Sequence, residues 1–496
     1  MRRKVFSIVC GISLFFASAA MANTKSLVRV SNLKPSQISQ LAAEGYDIPS
    51  VGRGYAEMVL EGPQISAFVK KGHTVKVLVR DLDEYVKNVK KTQTKNNAYY
   101  TYDTMVKRLN EWKEKFAGIC RLESIGKSHE GRDIWALKIS DNPEINEPEP
   151  AALLMGAHHA REWPSVEVPM ATARQLLEEY EGNEEIKRLV DNREIWIVPM
   201  VNPDGVTYSM EKSRMWRKNR RNNGNGTYGV DLNRNYGYQW GNVGASNSGS
   251  SDTYHGTGPF SEPESSTMRD FCIREKFQAS ISFHTYSELI LYPFGYGYNI
   301  PNPDSKIFVK MASEMAKFNG YDPKNSAELY PAMGDSDDYF YGELKMLSFT
   351  FELCTTFIPN ASQIATFNGL NVPACLYLID KAGTYGLVNP DGREEIVNAL
   401  DLPGSLRAIA DIVNLFGNEN NIGMRNEALK QLEKVSQRAA SLVVEDMKNG
   451  NSAALEAVKN VPQASLAMSF ARNRVLFEDA HRSGSIRPEL VQMLKK

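Results

Sequence analysis

Residues 151–163 read Ala151-Ala152-Leu153-Leu154-Met155-Gly156-Ala157-His158-His159-Ala160-Arg161-Glu162-Trp163. The first seven are small or apolar without alternation, as in a strand buried within a sheet. The polar residues begin where that strand ends. Outward from it, residues 166–180 have the spacing of an amphipathic helix, while 194–201 and 280–284 read as further strands. Such alternation over residues 98–386 predicts an α/β domain whose sheet is covered by helices on both faces, with ligands gathering beyond the strand ends.

The chain changes character on either side. Residues 26–30, 55–60 and 74–79 are strand-like and 37–44 and 64–70 helix-like, so residues 23–97 form a small α+β module with its linker. The module ends in Lys90-Lys91-Thr92-Gln93-Thr94-Lys95-Asn96-Asn97, an exposed linker rich in sites for a trypsin-like protease. Residues 406–416, 425–447 and 453–459 show helical spacing without strands, so 387–496 read as a separate all-helical C-terminal domain.

Met1-Arg2-Arg3-Lys4, the apolar run to about residue 19 and the small residues Ala20-Met21-Ala22 have the layout of a secretory signal peptide, residues 1–22. The run is short for a bilayer span, so the expectation is export without a membrane span after cleavage, to the periplasm or the medium. No cysteine follows the cut, which argues against a lipoprotein. Of the five cysteines, Cys10 leaves with the signal; the other four permit disulfides or buried thiols equally. Among 496 residues, 42% are hydrophobic and 24% charged, and the net charge of −1 gives no reason to expect nucleic acid as a partner.

A histidine and a glutamate three residues apart after the first strand can point an imidazole and a carboxylate at one spot, the donors that zinc prefers. The chain has only seven histidines, and His284 also lies at a strand end. Two histidines and a glutamate, with a fourth position for water, suit a catalytic zinc more than a structural one. Spacing does not choose between His158 and His159, and a lone pair of this kind is ordinarily a surface hydrogen bond.

Further segments carry a resemblance to the zinc carboxypeptidases of the pancreatic A/B and bacterial T type, over residues 98–386. His159-Ala160-Arg161-Glu162-Trp163 resembles the family's H-x-R-E-W segment, which selects His159 over His158 as a ligand beside Glu162. Ser282-Phe283-His284-Thr285-Tyr286-Ser287 is similar to the segment of the third ligand. Met215-Trp216-Arg217-Lys218-Asn219 resembles the segment whose arginine polarises the scissile carbonyl. Gly229-Val230-Asp231-Leu232-Asn233-Arg234-Asn235 resembles the one whose Asn-Arg pair holds the terminal carboxylate. Phe349-Thr350-Phe351-Glu352-Leu353 is similar to the strand of the catalytic glutamate, and Tyr330, 22 residues earlier, stands where the family has a mobile capping tyrosine.

The resemblance implies a mixed β-sheet covered by helices and one Zn²⁺ per catalytic domain, with hydrolysis of the C-terminal bond of peptides or proteins. In it, Glu352 and Arg217 are catalytic, His159, Glu162 and His284 bind the metal, and Asn233, Arg234, Tyr330, Arg161 and Tyr286 contact substrate. A carboxylate among the apolar residues around Glu352 would be costly to bury without a purpose. Asp337, 15 residues before Glu352, stands where the B type carries an aspartate, and Asp335 where the T type has an acid. Asp337 implies a preference for C-terminal Lys or Arg, which Asp335, like the acid of the broad-specificity T type, would reinforce, with mixed specificity second; the plainer alternative is that both acids cap or solvate the following turn. The N-terminal module stands where the family has its inhibitory propeptide, so an activating protease at 90–97 is a possible partner. Two other functions compete: trimming of peptidoglycan stem peptides, and an inactive peptide-binding module.

Overall fold

The computed structural model describes residues 24–94, 98–147 and 149–385. The expected signal peptide and the expected helical C-terminal domain lie outside the described residues. No helix among the described residues is long and apolar enough to cross a membrane.

The N-terminal module runs β1 (Ser26–Ser31), α1 (Pro35–Ala43), β2 (Asp47–Gly52), β3 (Tyr55–Leu60), α2 (Gly62–Lys70), β4 (Thr74–Val79) and α3 (Leu82–Lys91), with an antiparallel sheet in the order β2-β3-β1-β4. Its core joins Val28, Val30, Ile38, Met58 and Phe68. β2 contains Pro49, which hides it from a reading by pattern; at the sheet's edge a missing ladder donor is tolerated.

Helix α3 corrects the expected linker. Asp81 caps it by accepting from Glu84 N at 2.9 Å, acids occupy its first turn, and Lys90 and Lys91 occupy its last. Leu82, Val86 and Val89 form its buried stripe, and Lys90 Nζ donates to the Met210 carbonyl. The first two linker lysines are therefore helical, and residues 95–97 lie outside the described residues.

The second domain contains α4 (Tyr102–Lys115), β5 (Cys120–Lys127), β6 (Asp133–Ile139), β7 (Ala151–Gly156), α5 (Pro164–Glu178), α6 (Glu184–Val190), β8 (Glu194–Val198) and α7 (Pro203–Glu211). After a long, irregular stretch come α8 (Pro263–Glu275), β9 (Ala279–Thr285), β10 (Leu289–Tyr292), α9 (Ser305–Asn319), β11 (Asp322–Asn325), α10 (Ser336–Gly342), β12 (Leu347–Leu353) and α11 (Ile364–Lys381). Its eight strands lie in the order β11-β10-β12-β9-β7-β8-β6-β5. The central four are parallel and the sheet is mixed, as expected.

The central strands feed two cores. Leu154, Ile195, Ile197 and Ile281 face α4, α5, α9 and α11, while Leu153, Met155, Trp196 and Val198 face α8 and α10. Burial on both faces explains the unbroken apolar run of β7. The four described cysteines are free and buried.

Gly156 fixes the end of β7. A Cβ there would fall 2.0 Å from the Ser165 carbonyl oxygen, so the strand end and the start of α5 approach as only glycine allows. We expect Gly156→Ala to destabilise the protein by about 1–3 kcal/mol or more in denaturant unfolding and to lower its metal content. An unchanged midpoint would refute this close contact.

Candidate metal and substrate site

The parallel register places Gly156 of β7 beside Phe283 of β9, and His284 of β9 beside Glu352 of β12. Ala157, at φ 56°, then turns the chain so that the two adjacent histidines diverge. His158 is fully buried against Tyr236 Oη at 2.8 Å and Ser282 Oγ at 3.3 Å, which turns it away from the cluster. His159 Nδ1 lies 2.9 Å from Glu162 Oε1 and 3.1 Å from His284 Nδ1, and His284 Nδ1 lies 3.1 Å from Glu162 Oε2.

These three residues can hold one metal ion. The outer nitrogens support that fit. His159 Nε2 faces Asp231 Oδ1 at 3.0 Å and His284 Nε2 faces Ser282 Oγ at 3.1 Å, so each Nδ1 can direct a lone pair inward. Burial, first of all, pushes the His284 imidazole down, which favours its neutral, ligating form. Burial would raise the Glu162 carboxyl, but His159 and His284 hold it well below the usual carboxylate range.

Asp231, which no motif marks as functional, ties the cluster to its neighbours. Arg217 donates to Asp231 Oδ2 from Nε at 3.0 Å and approaches it with a second nitrogen at 2.9 Å, while lying 3.7 Å from Glu162. The Asp231 side chain also accepts from Asn233 N at 3.0 Å, fixing the short 3-10 turn Leu232–Arg234. Arg234 is buried, bonded to the Gly244 and Asn233 carbonyls, and its third nitrogen donates to Tyr330 Oη at 3.2 Å. Asn233 Oδ1 accepts from Ser336 N at 2.9 Å. Glu352 shares the cleft with His159, Glu162, Arg217, Arg234 and Tyr330, and burial with the Glu162 charge pushes its carboxyl up.

Two expected substrate contacts are occupied by the N-terminal module. Arg161 faces Asp47 through two nitrogens, at 2.8 and 2.6 Å, and lies over the Phe357 ring. Tyr286 Oη donates to Glu57 Oε2 at 2.5 Å. Asp47 and Glu57 had no motif to reveal them; Glu57 reads only as a polar position in a strand.

The two remaining acids separate. Asp335 caps α10 by accepting from Asp338 N at 2.8 Å, as the plainer alternative for it held. Asp337 does not: it is buried, its Oδ1 has no hydrogen-bond partner, and burial and Asp335 push its carboxyl well up against the opposing effect of the Thr350 hydroxyl. Removing metal with a chelator should abolish hydrolysis, and Glu162→Gln should lower the metal content at equal free zinc. Metal should also be lost as pH falls, because the ligands bind in their deprotonated forms. Full metal retention by Glu162→Gln, measured by atomic absorption, would exclude this ligand set.

Residues 105–373 match the zinc carboxypeptidase family. The chain is 38% identical over 286 residues to a zinc carboxypeptidase of Saccharothrix mutabilis subsp. capreolus, covering 54% of this chain and 66% of the relative. It is 32% identical over 374 residues to metallocarboxypeptidase A of Trichophyton rubrum, covering 69% of this chain and 86% of that one. The structure of thrombin activatable fibrinolysis inhibitor matches with TM-score 0.62 and 26% identity, over 72% of this chain and 98% of that one. The fold also matches carboxypeptidase A from Helicoverpa armigera, with TM-score 0.65 and 24% identity over 73% and 98% of the two chains. With its His-Glu-His cluster inside the matched region, the chain belongs to the zinc carboxypeptidase family, a zinc-dependent hydrolase of peptide C-termini.

Proposed function

We propose that the protein is an exported carboxypeptidase, made as a latent precursor, that releases C-terminal Lys and Arg. The observation that carries the specificity is Asp337, a buried carboxyl with an unpartnered oxygen. A guanidinium or ammonium from the substrate would supply the missing donors and favour the charged form. The basic start and the A-x-A site at residues 20–22 support export.

Each proposed role follows from the chemistry of a side chain. Arg234 receives the terminal carboxylate, with Asn233 and the Tyr330 hydroxyl completing the cradle, which restricts cleavage to chain ends. Zinc bound by His159, Glu162 and His284 would acidify its water and polarise the scissile carbonyl. Glu352 takes the proton as general base and delivers it to the departing amine. Arg217 stabilises the developing oxyanion, a contribution of about 3–4 kcal/mol in comparable sites.

Latency is supported by the module's acids. While Asp47 sits on Arg161 and Glu57 on Tyr286, a peptide cannot use either contact. Lys25 adds an ion pair with Asp252 at 2.5 Å, and Pro49 accepts from Ser287 Oγ at 3.0 Å. Cleavage within the 90–97 segment would leave the module free to dissociate.

Blocked dipeptides ending in Arg, Lys, Phe, Leu or Glu test this before and after limited trypsin, with Glu352→Gln as the inactive control. Arg and Lys should be released after trypsin and not by the control. Asp337→Asn should cut kcat/KM for C-terminal Arg about 100-fold while leaving Leu nearly unchanged. Asp47→Ala should raise the activity of the uncut chain toward that of the trypsin-treated one. Equal turnover of Phe and Arg would overturn the basic preference, and a fully active uncut wild type would overturn latency. Protein recovered outside the cytoplasm should begin at Asn23; recovery only as the uncleaved chain inside the cell would overturn export.

A further inference from the structure

Behind the cleft, Asn219 is fully buried and uses every hydrogen-bonding position of its side chain. Its Oδ1 accepts from Val230 N at 2.8 Å and Arg221 N at 3.3 Å, and its Nδ2 donates to Glu262 Oε2 at 2.8 Å and Glu264 Oε2 at 3.0 Å. Its backbone N–H donates to the Val230 carbonyl at 3.0 Å. One residue thus bolts the segment 217–219 to the segment 229–231 and anchors both to the start of α8.

The two segments are in close approach. Gly229 has φ 82°, and a Cβ there would fall 2.7 Å from the Asn219 carbonyl oxygen and 2.7 Å from Lys218 Cβ. Two residues before Asn219 is Arg217, and one after Val230 is Asp231, which meets both Arg217 and His159. A shift of the bolt therefore reaches the oxyanion arginine and a zinc ligand together.

The anchor is itself a closed network. Glu262 and Glu264 are fully buried. Glu262 accepts from Arg221 at 2.6 Å and Ser261 Oγ at 2.7 Å and meets His129 Nε2 at 2.7 Å. Glu264 accepts from His129 N at 3.2 Å and from Asn219. Burial raises the Glu264 carboxyl to about 7, whereas His129, Asn219, Ser261 and Arg221 outweigh burial at Glu262 and hold it at about 2.

We infer that Asn219 is a positioning residue, which sets the separation of Arg217 from the Asp231–His159 pair without touching substrate or metal. The inference rests on the roles proposed above for Arg217 and the zinc cluster. The bolt needs a donor facing two carboxylates and an acceptor facing a backbone N–H. Aspartate at 219 keeps the acceptor and loses the donor; glutamine at 264 can supply a donor from the other side.

The test uses the full chain and its trypsin-treated form, with kcat, KM, unfolding midpoint and zinc affinity by chelator competition. We expect Asn219→Ala to lower kcat about 30-fold and to weaken zinc binding about 10-fold, as loss of support behind a metal ligand does elsewhere. Asn219→Asp should be worse, and adding Glu264→Gln to it should recover at least 10-fold in kcat, a coupling that independent destabilisation would not produce. A lowered midpoint with kcat and zinc affinity within two-fold of wild type would overturn the inference. So would a double variant no better than Asn219→Asp, the comparison that carries the test if Asn219→Ala does not fold. Unchanged kcat in an Arg217→Ala control would sink the role of Arg217 instead; loss in that control beside an unaffected Asn219→Ala sinks the positioning role alone.

Discussion

A carboxylate removed from water has to be matched on its lone pairs or it gives up its charge. Asp231 is fully buried and matched by the His159 imidazole, the Arg217 guanidinium and the Asn233 N–H. Burial works against its charge, yet Arg217 and His159 hold it well below the usual carboxylate range. Displacing any one partner leaves part of a buried carboxylate unmatched. The metal cluster, the arginine beside it and the turn carrying Asn233 and Arg234 are therefore tied together through one side chain, and preorganisation of this kind is what makes electrostatic stabilisation effective.

Much of that unit was legible in the sequence, because strand ends are marked by a change from apolar to polar residues. The change after Ala157 locates His159 and Glu162, and His284 and Glu352 occupy equivalent places on β9 and β12. The choice between His158 and His159 was not legible from spacing. It is made by the positive φ of Ala157 and by the hydroxyls of Tyr236 and Ser282, which lie far away in sequence. Asp231 was visible only as a letter within a motif, since two of its three partners come from other segments. β2 was hidden by Pro49 at the sheet edge, and α3 by its largely polar composition, although its three buried residues keep helical spacing. The separate fates of Asp335 and Asp337 also need coordinates, because a capping acid and an unpartnered one two residues apart look alike in a string.

The module's hold on the cleft combines two kinds of contact. Asp47 and Glu57 place charge opposite charged or polar groups, while Val51 packs with Leu289, Leu291, Leu329 and Tyr330. Apolar contact supplies adhesion with little regard to orientation, and the acids fix register. Tyr330 belongs to the apolar set through its ring, while its hydroxyl accepts from Arg234 within the catalytic domain.

On the proposed latency, the covalently tethered module would compete for the cleft at an effective concentration set by its linker, of about millimolar order for short flexible connections. Cutting the linker changes none of the contacts at Arg161 and Tyr286; it turns an intramolecular ligand into a bimolecular one. Under that proposal, maturation would be a matter of dilution as much as of cleavage. A cut protein at high concentration would remain largely occupied by its own fragment, and would open as it spreads into a larger volume. Salt would hasten the departure by screening the Lys25–Asp252 pair, which is only partly buried, more than the buried pair between Arg161 and Asp47.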